Sequence, residues 1–333
     1  MSGGDGEDLH RRPLPDQGDD TGVGSVGARY PRTVLATCCL PWHEDGTLDE
    51  PMFRRGIRWL LEAGLRDLYV FGTAGEGHAV GDATYRSVVE VFCEELAAAG
   101  ATPMIGVISL SVQTIAERIA YAADRGVRVF QISLPSWGPL TDRELRSFFR
   151  VTCGAFPELE FLHYNLARSG RVVQPWEYAE LAAEHPNLVA TKYGAGDPEV
   201  IAGLHTHAPQ LRHFLTEPGF FAGCSTGPCG LLASISSSNP ARALAYFRAG
   251  ADSDQATLVA LHRELAGMMT AIRDVVGPAR LTDGAYDKVV AKLVHPDFPL
   301  TLLPPYQAAG DGAYRAYLGV LRARFPAWLP PAV

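Results

Sequence analysis

The chain has 333 residues, 47% of them apolar, and a net charge of −8. That length suits one large α/β barrel with an extension, and the acidic balance argues against nucleic acid, which needs a concentrated basic footprint. No apolar run reaches membrane-spanning length and the first 29 residues lack the apolar stretch of a secretory signal, so a cytoplasmic protein without a membrane partner is expected.

Residues 1–29 hold seven glycines and more acids than bases, and read as a disordered tail that cannot bury enough to fold. Beyond them, short apolar runs alternate with helical patterns. "TVLATCCL" (33–40) reads as a strand and "DEPMFRRGIRWLLEAG" (49–64) as a helix. Asp49 caps that helix, Pro51 suits its first turn, and Gly64 stops it. Strands follow at 67–72, 103–108, 128–134, 160–165, 188–192, 211–216 and 231–236. Helices are expected near 82–99, over 111–125, from Thr141 (a capping box with Glu144), from Pro175, and near 197–206. Parallel strands need long crossovers, and eight strand–helix units in series read as a closed (β/α)8 TIM barrel over 30–250. "QATLVALHRELAGMMTAIRDVV" and "AYRAYLGVLRARF" read as amphipathic helices, giving a C-terminal helical appendage over 251–333.

In such a barrel the chemistry sits where strands end. Lys192 ends one strand, Tyr164 ends the strand before it, and Thr73 follows the second. Lysine is almost never fully buried without a partner. Desolvation lowers a lysine pKa by roughly 3–5 units, and a neutral amine attacks a ketone to form a Schiff base. The bland alternatives are a lysine paired with a buried acid, a core tyrosine and a turn threonine.

Other features point to no metal and no cofactor. The loop "GTAGEG" has neither dinucleotide-fingerprint nor P-loop spacing. His205, His207 and His213 read as solvated, without metal-ligand spacing. The six cysteines form no Cys-x-x-Cys pair and are expected to be reduced. Cys38 and Cys39 read as core filler, and Cys224 and Cys229 flank a loop that could lie near a site.

"FGTAGEG" (71–77), "YNLARSG" (164–170), "ATKYGAGD" (190–197) and the opening βαβ unit resemble the dihydrodipicolinate synthase / N-acetylneuraminate lyase family, over about residues 33–305. The resemblance implies a cofactor-free class I aldolase or lyase acting on pyruvate or a related 2-oxo acid and an aldehyde, assembled as a homodimer or homotetramer. Lys192 matches the imine-forming lysine and Tyr164 the proton-shuttling tyrosine. Thr73 matches the hydroxyl that hydrogen-bonds it. Backbone N–H groups around Thr73 and Ala74 would hold the keto-acid carboxylate, Gly72 and Gly75 would allow close approach, and Glu76 would brace the loop.

Three positions depart from the pattern. Ala74 replaces a second hydroxyl. Arg168 follows Tyr164 by four positions instead of five, leaving either a carboxylate clamp or a salt bridge. Trp137 stands where the synthases carry a relay tyrosine, and indole only donates. Trp137 resembles a stretch of the hydratase-aldolases, whose substrates are aromatic; packing at an interface is its other reading. The expectation is therefore a hydratase-aldolase for an aromatic substrate. A sugar-acid lyase or dehydratase, a metal-dependent aldolase and a non-catalytic keto-acid-binding paralogue are the alternatives.

Overall fold

The computed structural model describes residues 27–277 and 281–331; apart from its last three residues, the expected tail over 1–29 lies outside them. Strands and helices alternate: β1 (Val34–Thr37), α1 (Glu50–Glu62), β2 (Asp67–Val70), α2 (Asp82–Ala98), β3 (Thr102–Gly106), α3 (Val112–Ala123), β4 (Val129–Ile132), α4 (Asp142–Thr152), β5 (Glu160–Asn165), α5 (Pro175–Glu184), β6 (Leu188–Tyr193), α6 (Pro198–His207), β7 (Arg212–Leu215), α7 (Glu217–Gly223), β8 (Gly230–Ala233) and α8 (Pro240–Ala251). Three further helices follow, α9 (Gln255–Val276), α10 (Asp283–Ala291) and α11 (Asp311–Arg324). The eight strands run parallel in sequence order, and β8 closes on β1. The expected (β/α)8 barrel with helices beyond it is what forms. Among the described residues no helix is long and apolar enough to cross a membrane.

Local signals act where the sequence places them. Asp49 accepts the N–H of Met52 at 3.0 Å, and Thr141 and Glu144 make the reciprocal capping box. The sequence reading passes over α7, α8 and α10. Two of them, α7 and α10, are short, with seven and nine residues, so tertiary packing supports them more than their own pattern does.

Inside the barrel Leu35, Tyr69, Met104, Leu162, Ala190 and Phe214 belong to one core, while Phe161 and Leu188 belong to the core between strands and helices. The N-terminal end is closed by Tyr30, whose ring meets Phe214 edge-on at 5.7 Å and whose hydroxyl donates to Asp67. Arg29 donates to the carbonyls of Ala182, His185 and Leu188 nearby.

One irregularity decides where the site residues point. Phe161 pairs with Leu188, but Leu162 pairs with Ala190, so Val189 is an extra residue in β6. Side chains alternate along a strand, and a slip of one residue exchanges the two faces. Counting from outward Leu188 without the bulge, Lys192 would face the helices. With it, Ala190 and Lys192 face inward and Lys192 pairs with Tyr164. Thr191 turns outward to hydrogen-bond His213 at 2.7 Å.

The helical appendage is tied to the barrel by a buried ion pair. Lys288 of α10 and Glu76 of the β2 loop lie 2.6 Å apart, at 0% and 1% side-chain exposure. Glu76 also accepts from the Trp42 indole and the Leu303 N–H, and Lys288 donates to the Thr301 carbonyl. Every strong donor of the cluster thus has an acceptor, which is what makes a buried pair tolerable.

Replacing Lys288 with Met leaves Glu76 buried and uncompensated. It is expected to lower the unfolding free energy by roughly 3–5 kcal/mol, read as a fall in the urea midpoint. Adding Glu76→Gln to that variant should recover most of the loss, and an unchanged midpoint in the single variant would show that the pair holds nothing.

Candidate active site

The C-terminal strand ends open into a cavity of about 680 Å³. Its floor is the next inward layer of the barrel: Thr37, Tyr164, Lys192, Thr216, Leu232 and Ser234. Beneath it the Tyr69 hydroxyl donates to Gln131, whose amide donates to Ser133 at 2.8 Å.

Lys192 is 5% exposed. Among the described residues its ammonium nitrogen meets no carboxylate and no hydrogen-bond acceptor. Nζ lies instead over the rings of Tyr164 and Tyr69, 3.6 and 4.9 Å from their centroids. Burial pulls its pKa down to about 7, against the opposing charges of Asp283 and Asp287. A good part of the population is then a free amine near neutrality, which an ordinary lysine is not. The bland reading, a lysine locked against a buried acid, does not describe this geometry.

Tyr164 and Thr73 come together, the contact that the family resemblance implied. Their hydroxyls are 3.5 Å apart. Burial raises the Tyr164 phenol to about 12, so it holds its proton and acts first as a donor. The 71–77 loop bends sharply: Phe71 and Glu76 both have positive φ, 65° and 51°, a conformation uncommon for side-chain-bearing residues and found at functional sites. A Cβ at Gly72 would overlap the Tyr69 phenol, and one at Gly75 would lie 2.7 Å from the Phe71 nitrogen. Both positions therefore require glycine. Ala74 lines the cavity. Among the described residues the N–H groups of Thr73 and Ala74 meet no protein acceptor, so they are available to an anion.

Arg168 lies at the rim and is engaged. Its guanidinium holds Asp283 with two bonds of 2.8 and 3.1 Å and reaches the Thr73 hydroxyl at 3.4 Å. Of its two readings the ion pair is the one formed here. Trp137 is not brought to the cavity. It is 90% exposed, on the loop after β4.

Sequence reasoning missed the cavity's acidic wall. Asp283 and Asp287, four residues apart on α10, face the mouth, and Glu217 opens α7. The Oε1 of Glu217 accepts the N–H groups of Ser234 and Ile235. Burial, with Asp283 and Glu217 nearby, raises Asp287 to about 8. The stretch "TDGAYDKVV" held the signal: two acids at i and i+4 on one helix share one face. Leu265, Met268, Met269 and Ile272 of α9, with Tyr286 of α10, form an apolar wall beside these acids.

Two sequence expectations need correction. His213 and His205 are not solvated: His213 is 1% exposed between Thr191 and the Ala208 carbonyl, and burial lowers its pKa to about 3, while His205 is half-buried against the Thr226 hydroxyl at 2.8 Å and burial lowers it to about 4. Cys224 and Cys229 lie at the entry to β8, the end of the barrel away from the mouth, because the strand runs from Gly230 toward the cavity. Among the described residues no cluster of His, Cys, Asp and Glu is placed to hold a metal ion.

The model of the dihydrodipicolinate synthetase family matches residues 30–285. A 4-hydroxy-tetrahydrodipicolinate synthase of Salinibacter ruber is 27% identical over 267 residues, covering 76% of this chain and 84% of that protein. One from Exiguobacterium sp. is 29% identical over 179 residues, 54% of this chain and 59% of the relative's length. Among solved structures, YagE, a prophage protein of the same family from E. coli K12 crystallised with pyruvate, superposes with a TM-score of 0.79 at 17% identity, over 88% of this chain and 98% of that one. At that identity the likeness is one of fold.

The chain holds only three lysines, at 192, 288 and 292, so chemical modification can be read site by site. Acylation of Lys192 by a small reagent is expected to rise about tenfold per pH unit below pH 7 and level off above it. Peptide mass mapping of the modified lysines checks this; a rate still climbing at pH 9 would mean that the amine is not desolvated.

Proposed function

The chain belongs to the dihydrodipicolinate synthetase family and is an enzyme of the lyase type, and on that premise we propose that it forms a Schiff base between Lys192 and pyruvate or a related 2-oxo acid. It would then make or break a carbon–carbon bond to an aldehyde. The observation that carries this reading is the unpaired, desolvated amine of Lys192 in a cavity beside Tyr164.

The steps follow from the geometry. The neutral amine adds to the keto carbon, and loss of water gives an iminium that withdraws electrons from the neighbouring carbon. Tyr164, held by Thr73, gives and takes the proton at that carbon and at the aldehyde oxygen. The free N–H groups of Thr73 and Ala74 would bind the keto-acid carboxylate, where a fixed donor set acts strongly in a dry site.

For the acceptor, the wall of Leu265, Met268, Met269 and Ile272 supports an apolar partner, and we assign an aromatic aldehyde, as in a hydratase-aldolase. Trp137, directed to solvent within a single chain, adds no support from inside the cavity. A non-catalytic keto-acid binder is the second reading; it shares the amine but predicts an adduct without turnover.

Borohydride reduction in the presence of pyruvate is expected to place a lactyl-type adduct on Lys192 and on neither of the other lysines, and Lys192→Met should abolish it. In a panel of acceptors, benzaldehyde-type aldehydes should turn over at least tenfold faster than sugar aldehydes. Met269→Glu should remove most of that preference while leaving the pyruvate adduct intact. An adduct with no turnover on any aldehyde would favour the binder.

A further inference from the structure

We propose that Asp287 is a catalytic acid of this site: it delivers the proton that expels water from the Lys192 carbinolamine and then remains as the carboxylate facing the iminium. This rests on the Schiff-base reading above and adds to it a residue contributed by the helical appendage.

Three carboxyl groups reach the cavity, and their surroundings separate them. Asp283 is held by both terminal nitrogens of Arg168, so its charge is matched and its oxygens are occupied. Glu217 is buried, with one oxygen taken by the N–H groups of Ser234 and Ile235. Asp287 makes no ion pair with any described residue. Ser234 lines the cavity with it, and Asp287 opens into the same cavity as Lys192. A carboxyl group so placed has a proton to give and room to give it.

The groups around Asp287 set that proton's tendency to stay. Asp283 on its own helix and Glu217 on α7 oppose ionisation, and Lys192 on β6 favours it. Cys39, on the loop after β1, and Tyr164 on β5 also feel its charge. Burial dominates, and the acid sits at about 8 while the amine sits at about 7. Burial thus moves the acid up and the amine down, and both shifts favour the pair of neutral groups that imine formation needs. Tyr164, at about 12, is a much weaker acid at the same pH.

The step balances. The Nζ lone pair adds to the keto carbon, and a proton passes from nitrogen to oxygen to give the neutral carbinolamine. Asp287 protonates its hydroxyl, the carbon–oxygen bond breaks with release of water, and the nitrogen lone pair forms the C=N⁺ bond. A neutral acid and a neutral amine become a carboxylate and an iminium, so the charge made on one partner is compensated by the other. Hydrolysis of the imine runs the same transfers backward.

The test is imine formation with pyruvate alone, which needs no acceptor. Its rate is read from exchange of the pyruvate carbonyl oxygen with oxygen-18 water and from borohydride trapping on Lys192. In the wild type the rate should rise through about pH 7 and fall through about pH 8. Asp287→Asn keeps the shape and neutrality of the protonated acid but cannot deliver a proton. It should slow exchange about a hundredfold or more, as removal of a general acid does, and lose the alkaline limb. A structural role would not remove that limb. Exchange within threefold of wild type, or an alkaline limb retained in the variant, overturns the proposal. If the variant does not fold, infrared difference spectra of carboxyl-labelled wild type decide it. Pyruvate should abolish a protonated-carboxyl band, and an unchanged band overturns the assignment. No adduct in the wild type removes the Schiff-base reading and this one with it, whereas undiminished imine formation in Asp287→Asn removes this one alone.

Discussion

A single extra residue in β6, Val189, turns the lysine side chain of that strand into the barrel interior, and the chemistry of the site depends on it. Inside, an ammonium group would lose its hydration with nothing to replace it, at a cost of several kcal/mol. The side chain escapes most of that cost by giving up its proton, since a buried basic group is favoured in its neutral form. Folding therefore prepares the amine, and the faces of Tyr164 and Tyr69 receive it without offering the carboxylate that would recharge it.

The second constraint is the contact that brings the helical appendage over the strand ends. Glu76 belongs to the strained loop that carries Thr73 and Ala74, and Lys288 belongs to the helix that carries Asp283 and Asp287. Their buried pair fixes the anion-facing amides and the acidic wall as one unit. A Cβ on Gly284 would come within 3.3 Å of the Ala74 carbonyl, which shows how closely α10 lies on the loop. The expectation that Glu76 braces the loop describes one end of this link.

The cavity combines two chemistries on different sides. The floor offers a neutral amine, a protonated phenol and unpaired N–H groups, all suited to a small keto acid. The roof offers carboxyl groups and the apolar side chains of α9. Arg168, the one arginine motif in the "YNLARSG" stretch, answers to Asp283 across the mouth, so positive charge at the rim is neutralised by the appendage before any substrate arrives.

The sequence by itself determined the barrel and placed Lys192, Tyr164 and Thr73 at strand ends, because those follow from local pattern, while the roles of the three came from the family resemblance. Apolar runs mark strands buried on both faces, caps such as Asp49 and Thr141 mark helix starts, and Lys192, Tyr164 and Thr73 sit at strand ends whatever the packing. Tertiary structure alone decided the rest. The inward turn of Lys192 rests on a bulge that no residue type announces, since Val189 is an ordinary strand residue. Asp283 and Asp287 lie more than ninety positions beyond Lys192 in the chain, on a helix too short to be read from its own periodicity. They reach the mouth on a helix that Lys288 ties to Glu76 and Asp283 ties to Arg168. His213 read as solvated in company with His205 and His207 at a helix end and loop, yet β7 turns it toward the covering helices. Local sequence specifies conformation residue by residue, but burial and electrostatic environment are sums over groups distant in the chain, and those sums exist only once the barrel has closed.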